Sequence, residues 1–295
     1  MNDIFAPQFL NRRALNYRVL LLSAVSFLGL IGTAAAQDIN VLPKEEKKPH
    51  KRGQVYFQWG YNRDWYSRST IHVYRNDANP ANSYDFTLYN AKAHDKPDMW
   101  RWWQPERLTI PQYDMYGGYM FNDKNDFGIE VAWNHLKYVV TDWQNIYISG
   151  QIHGTAINRT YPLDPDTLHL QHTNGNNYLL VSLVKRQQIY NGKYFQVSAI
   201  AKAGVGPMIS YTIDTILGDY DPGYFHYHGW VAAVSAGVRV SFLKYFYLQS
   251  DMQGAYADYT NTKLGYNHLG RSTQHFYSLQ WTYLSIGGIV PIGKK

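Results

Sequence analysis

Cysteine is absent from the 295 residues. No disulfide framework, thiolate nucleophile or cysteine metal site can therefore be built. Beyond residue 36 there is no apolar run of the length a spanning helix needs, which excludes a membrane helix downstream of that point. Charge is also sparse, at 17% of residues, with a formal balance of +6. Removing residues 1–36, with three Arg and one Asp, lowers the balance to +4. That is too mild a basic excess to favour a nucleic-acid partner.

Aromatic residues are plentiful: 16% of the chain, with 27 Tyr and 9 Trp. Amphipathic rings in such numbers suit a protein that lies across a membrane interface. At the N-terminus, Arg12, Arg13 and Arg18 precede the apolar run Val19–Ile31, followed by Thr33-Ala34-Ala35-Ala36-Gln37. This order predicts a cleaved secretory signal over 1–36. The charged stretch 37–53 reads as a flexible periplasmic tail and 54–295 as the folded domain.

Strict alternation organises that domain. Between Tyr194 and Tyr259, Phe195, Val197, Ala199, Ala201, Ala203 and Val205 share one face, and Trp230, Ala232, Val234, Ala236, Val238 and Val240 share another. Polar residues and glycines take the opposite faces. Runs of about ten residues at period two are the pattern of strands crossing a bilayer. Further runs cover 54–66, 70–74, 84–92, 112–121, 127–138, 178–190 and 276–292, with a hairpin extension through 146–152. Asn191-Gly192 and 122–125 read as tight turns. Long connections are expected at 94–108, 139–177, 209–228 and 260–274, and a short hairpin near 67–69. Alternating short and long connections predict an all-β fold, a transmembrane antiparallel up-and-down β-barrel of about ten strands, with eight or twelve also open.

A barrel this narrow is barely wide enough for its own side chains. Inward-facing Asp85, Asp114, Glu130, Arg186, Lys202, Arg239 and Asp251 are therefore expected to form a paired charge network that largely fills the lumen, since buried charges need partners.

The strings Phe57-Gln58-Trp59-Gly60-Tyr61-Asn62-Arg63, Ile71-His72-Val73, Tyr84-Asp85-Phe86-Thr87-Leu88-Tyr89 and Ala91-Lys92-Ala93-His94-Asp95 resemble a family of outer-membrane β-barrel proteins of Bacteroidetes-type bacteria. The resemblance continues through Ile110-Pro111-Gln112-Tyr113, Trp133-Asn134-His135-Leu136-Lys137-Tyr138 and His172-Thr173-Asn174-Gly175. It implies the fold and an outer-membrane location, and brings no catalytic residues. The chain end, Pro291-Ile292-Gly293-Lys294-Lys295, departs from the terminal aromatic common in such barrels.

Three groups could carry chemistry. His226 and His228 share a face of an extended segment and are weak metal candidates without a third ligand. His172-Thr173-Asn174 is similar to the His-x-Ser-Asn of lipid A deacylase barrels, but Asn174 stands where the nucleophile belongs. Trp100, Arg101, Trp102 and Trp103 are candidates for a partner or glycan contact, or for an aromatic girdle. The leading expectation is a structural, binding or complex-forming barrel. Its partners would be outer-membrane lipid, lipopolysaccharide and other envelope proteins, without a cofactor. The alternatives are a small-solute channel and a lipid A or phospholipid hydrolase.

Overall fold

The computed structural model describes residues 53–96, 112–121, 126–243 and 245–292. The proposed signal, the proposed tail up to residue 52, the Trp100–Trp103 cluster and the 122–125 turn lie outside these residues, while Gly53, the last residue of the expected tail, begins the first strand. Thirteen strands make one continuous antiparallel sheet. They are β1 (Gly53–Tyr66), β2 (Ser69–Arg75), β3 (Tyr84–Ala91), β4 (Ala93–His94), β5 (Tyr113–Met120), β6 (Phe127–Val140), β7 (Asn145–Ile152), β8 (Thr155–Pro162), β9 (Leu168–Asn191), β10 (Phe195–Ile216), β11 (Asp219–Phe242), β12 (Phe246–Leu264) and β13 (Gly270–Ile292).

The pairing order β1-β5-β6-β9-β10-β11-β12-β13 returns to β1, so eight strands close a ring. Each ring strand pairs with the next one in chain order, which is up-and-down topology. Closure is made between the ends of the described chain, from Gly53 opposite Ile292 to Tyr66 opposite Ser278. No edge remains in this part of the sheet, so every strand can satisfy its backbone groups internally.

Outward side chains form an apolar, mainly aliphatic band that includes Val55, Phe57, Val131, Val181, Leu183, Val205, Val234, Val238, Ile286 and Val290. Aromatic residues flank it. Tyr119, Phe127, Tyr190, Phe195 and Phe246 stand exposed at the short-turn end. At the far side, Trp230, Tyr256 and Tyr277 run in series with ring centroids 5.6 and 5.4 Å apart. From Phe246 to Tyr256 is ten residues. At about 3.3 Å per residue and a tilt of about 40°, that gives roughly 25 Å, the height of a bilayer's apolar band.

The strands do not stop at the far girdle. β10 and β11 stay paired as far as Ile216 opposite Asp219, and β12 and β13 as far as Leu264 opposite Gly270. The expected long connections at 209–228 and 260–274 are therefore mostly strand, closed by the short segments 217–218 and 265–269. The expected 139–177 connection is likewise largely ordered, as the end of β6, the β7–β8 hairpin and the start of β9. Above the girdle the outward face no longer touches lipid, so the apolar-out signal that marks a spanning strand fades while the pairing continues.

Residues 67–68 are not a hairpin. β1 and β2 both lie antiparallel to β13, at Tyr66 opposite Ser278 and Ile71 opposite Gln274, so they run in one direction with a break between them. β2, β3, β7 and β8 then add a lateral sheet to the extension. Of the ten expected strands, the runs 70–74 and 84–92 are β2 and β3 of this lateral sheet, which leaves eight spanning strands in the ring.

Candidate functional site

Three layers fill the interior. The first lies within the lipid-facing band. Lys202 Nζ sits 2.9 Å from Glu130 Oε1 and 4.0 Å from Asp251 Oδ2, with all three side chains buried. The ammonium also lies 4.1 Å from the Tyr116 ring centroid. Tyr56 donates to Glu130 at 2.8 Å, and Gln249 donates to both oxygens of Asp251 at 2.9 and 2.7 Å.

Arg239 donates from Nε to Gln249 at 2.6 Å, and its guanidinium lies 5.1 Å from the Tyr56 ring and 3.8 Å from that of Tyr247. Both rings cross glycines of adjacent strands. A Cβ on Gly118 would stand 2.4 Å from the Tyr56 hydroxyl, and one on Gly287 would stand 2.0 Å from Tyr247 Cζ. The glycines leave the space in which the two rings bracket the cation.

Asp114 is the other hub. Asn62, Asn134 and Gln280 donate to Oδ1 at 2.9, 2.9 and 2.7 Å, and Thr282 donates to Oδ2 at 2.6 Å. Arg186 lies nearer the short-turn end, 3.6 Å from Asp126 and donating to Gln54 at 3.0 Å.

Asp85 is not in the lumen. Its side chain is 67% exposed and meets His72 at 2.7 Å, because β3 belongs to the lateral sheet and turns this face to water. Without Asp85, three acids (Asp114, Glu130, Asp251) stand with three bases (Arg186, Lys202, Arg239) among the interior charges singled out in the sequence. The interior also holds the neutral amides Gln58, Asn62, Asn134, Gln249, Gln253 and Gln280, all buried and none of them carrying a charge that would single it out. They occupy polar-face positions of the same alternation, and that was the available signal.

The second layer, above the outer girdle, is aromatic and aliphatic. Tyr138, Phe276, Tyr259 and His172 stack at 4.7, 5.5 and 5.0 Å between successive ring centroids. Around them Ile71, Phe86, Leu88, Leu136, Leu168 and Leu170 are buried. The histidines singled out in the sequence belong here. His172 Nδ1 lies 2.8 Å from Thr212 Oγ1, which in turn is 2.6 Å from His228 Nε2. His226 and His228 stack at 3.9 Å, and His226 Nε2 accepts the Lys263 backbone N–H at 3.0 Å. Burial holds His172 well below the ordinary imidazole range, and pushes His226 and His228 down to about 4 and about 3.

Among the described residues, no group of three or more His, Asp or Glu side chains could hold a metal ion. His172 is joined to Thr212, not to Thr173 or Asn174, and the Thr212 hydroxyl is enclosed in the core. It is therefore shut off from any substrate in the membrane or in solution.

The third layer is the crown of hairpin tips. Asp214 Oδ1 accepts the Gly265 N–H at 2.9 Å, tying β10 to the β12–β13 connection. Asp221 accepts the Gly223 N–H at 2.8 Å and lies 2.9 Å from His268 Nδ1. Burial, with Asp221 and Asp219 nearby, pushes the Asp214 carboxyl up to about 8. An acid raised in the folded state favours folding most below its ordinary value near 3.9, and loses that contribution as pH rises toward 8. The Asp214→Asn variant keeps an acceptor for Gly265 and does not titrate. Relative to the parent it is therefore expected to gain a few kcal/mol between pH 4 and pH 8. Melting temperatures of the pair across that range check the sign, and a constant difference between the two proteins refutes it.

A closed antiparallel ring, an outward apolar band between two aromatic girdles and a polar interior define an integral outer-membrane β-barrel. No protein-family model matches the chain, and no curated protein matches its sequence. Among solved structures, it is similar to OprG from Pseudomonas aeruginosa at 9% identity over 82% of this chain and 97% of that one, with a TM-score of 0.40. It is also similar to the attachment invasion locus protein Ail of Yersinia pestis (9%, 81% and 99%, TM-score 0.32) and to the outer membrane protease OmpT from Escherichia coli (7%, 82% and 98%, TM-score 0.33). These likenesses do not indicate a Bacteroidetes-type source. The assignment to the class rests on the strand pairing and the outward band.

Proposed function

We propose that this chain is exported by its N-terminal signal and serves as a closed-lumen barrel that displays a rigid binding surface outside the cell. One observation carries the reading. The interior is occupied first by the charge network and then by a hydrophobic core, while the strands continue past the outer girdle as a paired sheet. A barrel that served only to conduct would gain nothing from filling its bore, and strands that served only to span would gain nothing from roughly 25 Å more of pairing. The aqueous surface so created is where lipopolysaccharide, a glycan or another envelope protein would be met. The short turns and the ends Gly53 and Ile292 lie on the opposite, periplasmic side.

Two measurements test the reading. Purified protein in planar bilayers is expected to give no discrete conductance steps, and regular openings overturn it in favour of a channel. A pull-down from outer membranes in gentle detergent is expected to recover a stoichiometric protein or glycan partner. The hydrolase alternative predicts an altered lipid mass profile on expression, reversed by His172→Ala. With Thr212 enclosed in the core, an unchanged profile is expected.

A further inference from the structure

We propose that the crown carries a binding site for one neutral sugar residue of a surface glycan, held by Asp219, Asn82 and Asn267. The inference rests on the reading of the extension as a binding surface and names its ligand class.

The site is a cavity of about 120 Å³ where four connections meet: β2–β3, β7–β8, β10–β11 and β12–β13. Its polar lining is Arg75, Asn82, Tyr84, His153, Asp219 and Asn267, over an apolar floor of Ile216, Leu217 and Leu264. The shape is preorganised. The tight turn at 217–218 has positive φ at Leu217 (55°) and Gly218 (86°), and Asp214 pins Gly265 from below. Gly270 leaves room for Tyr84, whose hydroxyl stands 2.2 Å from where a Cβ at 270 would be. These constraints fix the part of the wall that β10, β12 and β13 contribute.

Size, charge and chemistry narrow the ligand. The volume is well under the roughly 300–1,000 Å³ of pockets for drug-sized molecules, so one ring or part of one is the limit. The Arg75 cation is already matched by Asp77, with Nη2 2.9 Å from Oδ2. With Asp219 at the lining and the Arg271 guanidinium, which donates to the Gly270 carbonyl, close to Tyr84, the remaining charges are near balance, which favours a neutral ligand over a sulfated or phosphorylated one.

What remains is a neutral group rich in hydroxyls. A carboxylate can accept from two adjacent hydroxyls, and the amides of Asn82 and Asn267 both donate and accept. Tyr84 adds an aromatic surface for the carbon face of a ring. Tyr220 and Tyr266 flank Asp219 and Asn267 in sequence and are 57% and 65% exposed. Lying at hairpin tips remote from the lipid band, they cannot serve as girdle residues. Tyr266, in the β12–β13 connection next to Asn267, offers an exposed ring to the neighbouring sugar of a chain, whereas Tyr220 follows Asp219 on β11 and faces the other way.

The full-length protein in detergent, titrated with methyl glycosides of neutral hexoses and N-acetylhexosamines, is the test, with a sulfated heparin fragment as the anionic control. At least one neutral glycoside is expected to bind, by calorimetry or saturation-transfer NMR. Asp219→Asn and Asn267→Ala are each expected to weaken that binding by about tenfold, the loss of one or two hydrogen bonds. Both residues line the crown surface, and retained heat-modifiable migration in gels verifies that the variants fold. Absence of neutral-glycoside binding, preference for the anionic fragment, or unaltered affinity in both variants overturns the proposal. If the parent still recovers its pull-down partner but binds no neutral glycoside, the sugar site fails while the binding-surface reading stands. Conductance in bilayers would sink the reading itself.

Discussion

Replacing Lys202 by methionine is expected to lower the unfolding free energy by about 3–5 kcal/mol, the usual cost of removing one member of a buried ion pair. The side chain is close in length, so packing changes little and the loss is chiefly electrostatic. Glu130, 2.9 Å away, and Asp251, 4.0 Å away, would be left facing each other inside a sealed barrel. Tyr56 and Gln249 would still donate to them, which limits the damage without cancelling charge. Adding Glu130→Gln to Lys202→Met removes one stranded carboxylate and should restore part of the loss. Urea unfolding followed by tryptophan fluorescence in micelles measures both. A single variant within about 1 kcal/mol of the parent, the range of exposed pairs, would show that the network does not hold the barrel shut.

Asp114→Leu is expected to cost at least about 3 kcal/mol, because one substitution strands several donors together. Asn62, Asn134, Gln280 and Thr282 all point at this carboxylate, and each buried donor left unmet costs about 1–3 kcal/mol before relaxation. The effects do not add in full, since the amides can turn toward one another. Asp114→Asn keeps one acceptor oxygen and should fall between the parent and the leucine variant. Equal stability of all three proteins would assign Asp114 no structural part.

Much of this architecture was legible in the residue pattern, for a reason particular to membrane barrels. Lipid demands an apolar outer face, and a narrow lumen demands polar or small inner residues. The two demands meet at period two, as in Phe195–Val205 and Trp230–Val240. The Asn191-Gly192 turn was equally local: Gly192 N–H bonds to the Phe195 carbonyl at 3.0 Å and closes β9 onto β10. Asp114, Glu130, Lys202, Arg239 and Asp251 could be picked out as inward-facing because their strands have this clean alternation.

Asp85 was misplaced because alternation tells which residues share a face without telling whether that face looks into a bore. Beyond the outer girdle the solvent changes from lipid to water on one side only, and strands there read as loops. The crown cavity had no sequence signal at all. Its walls come from positions 75–84, 153, 216–219 and 264–270, which meet only when eight strands have closed.

The sequence alone therefore determined which segments cross the lipid band, which of their side chains face it, and the membrane-spanning class, because bilayer thickness and polarity act on each spanning strand separately. The tertiary structure alone decided the ring size, the continuation of the strands into water, the partners of each buried charge and the cavity at the crown. Those depend on register between distant segments. Gly53 opposite Ile292 is the clearest case, since no local pattern encodes a pairing that spans the whole domain.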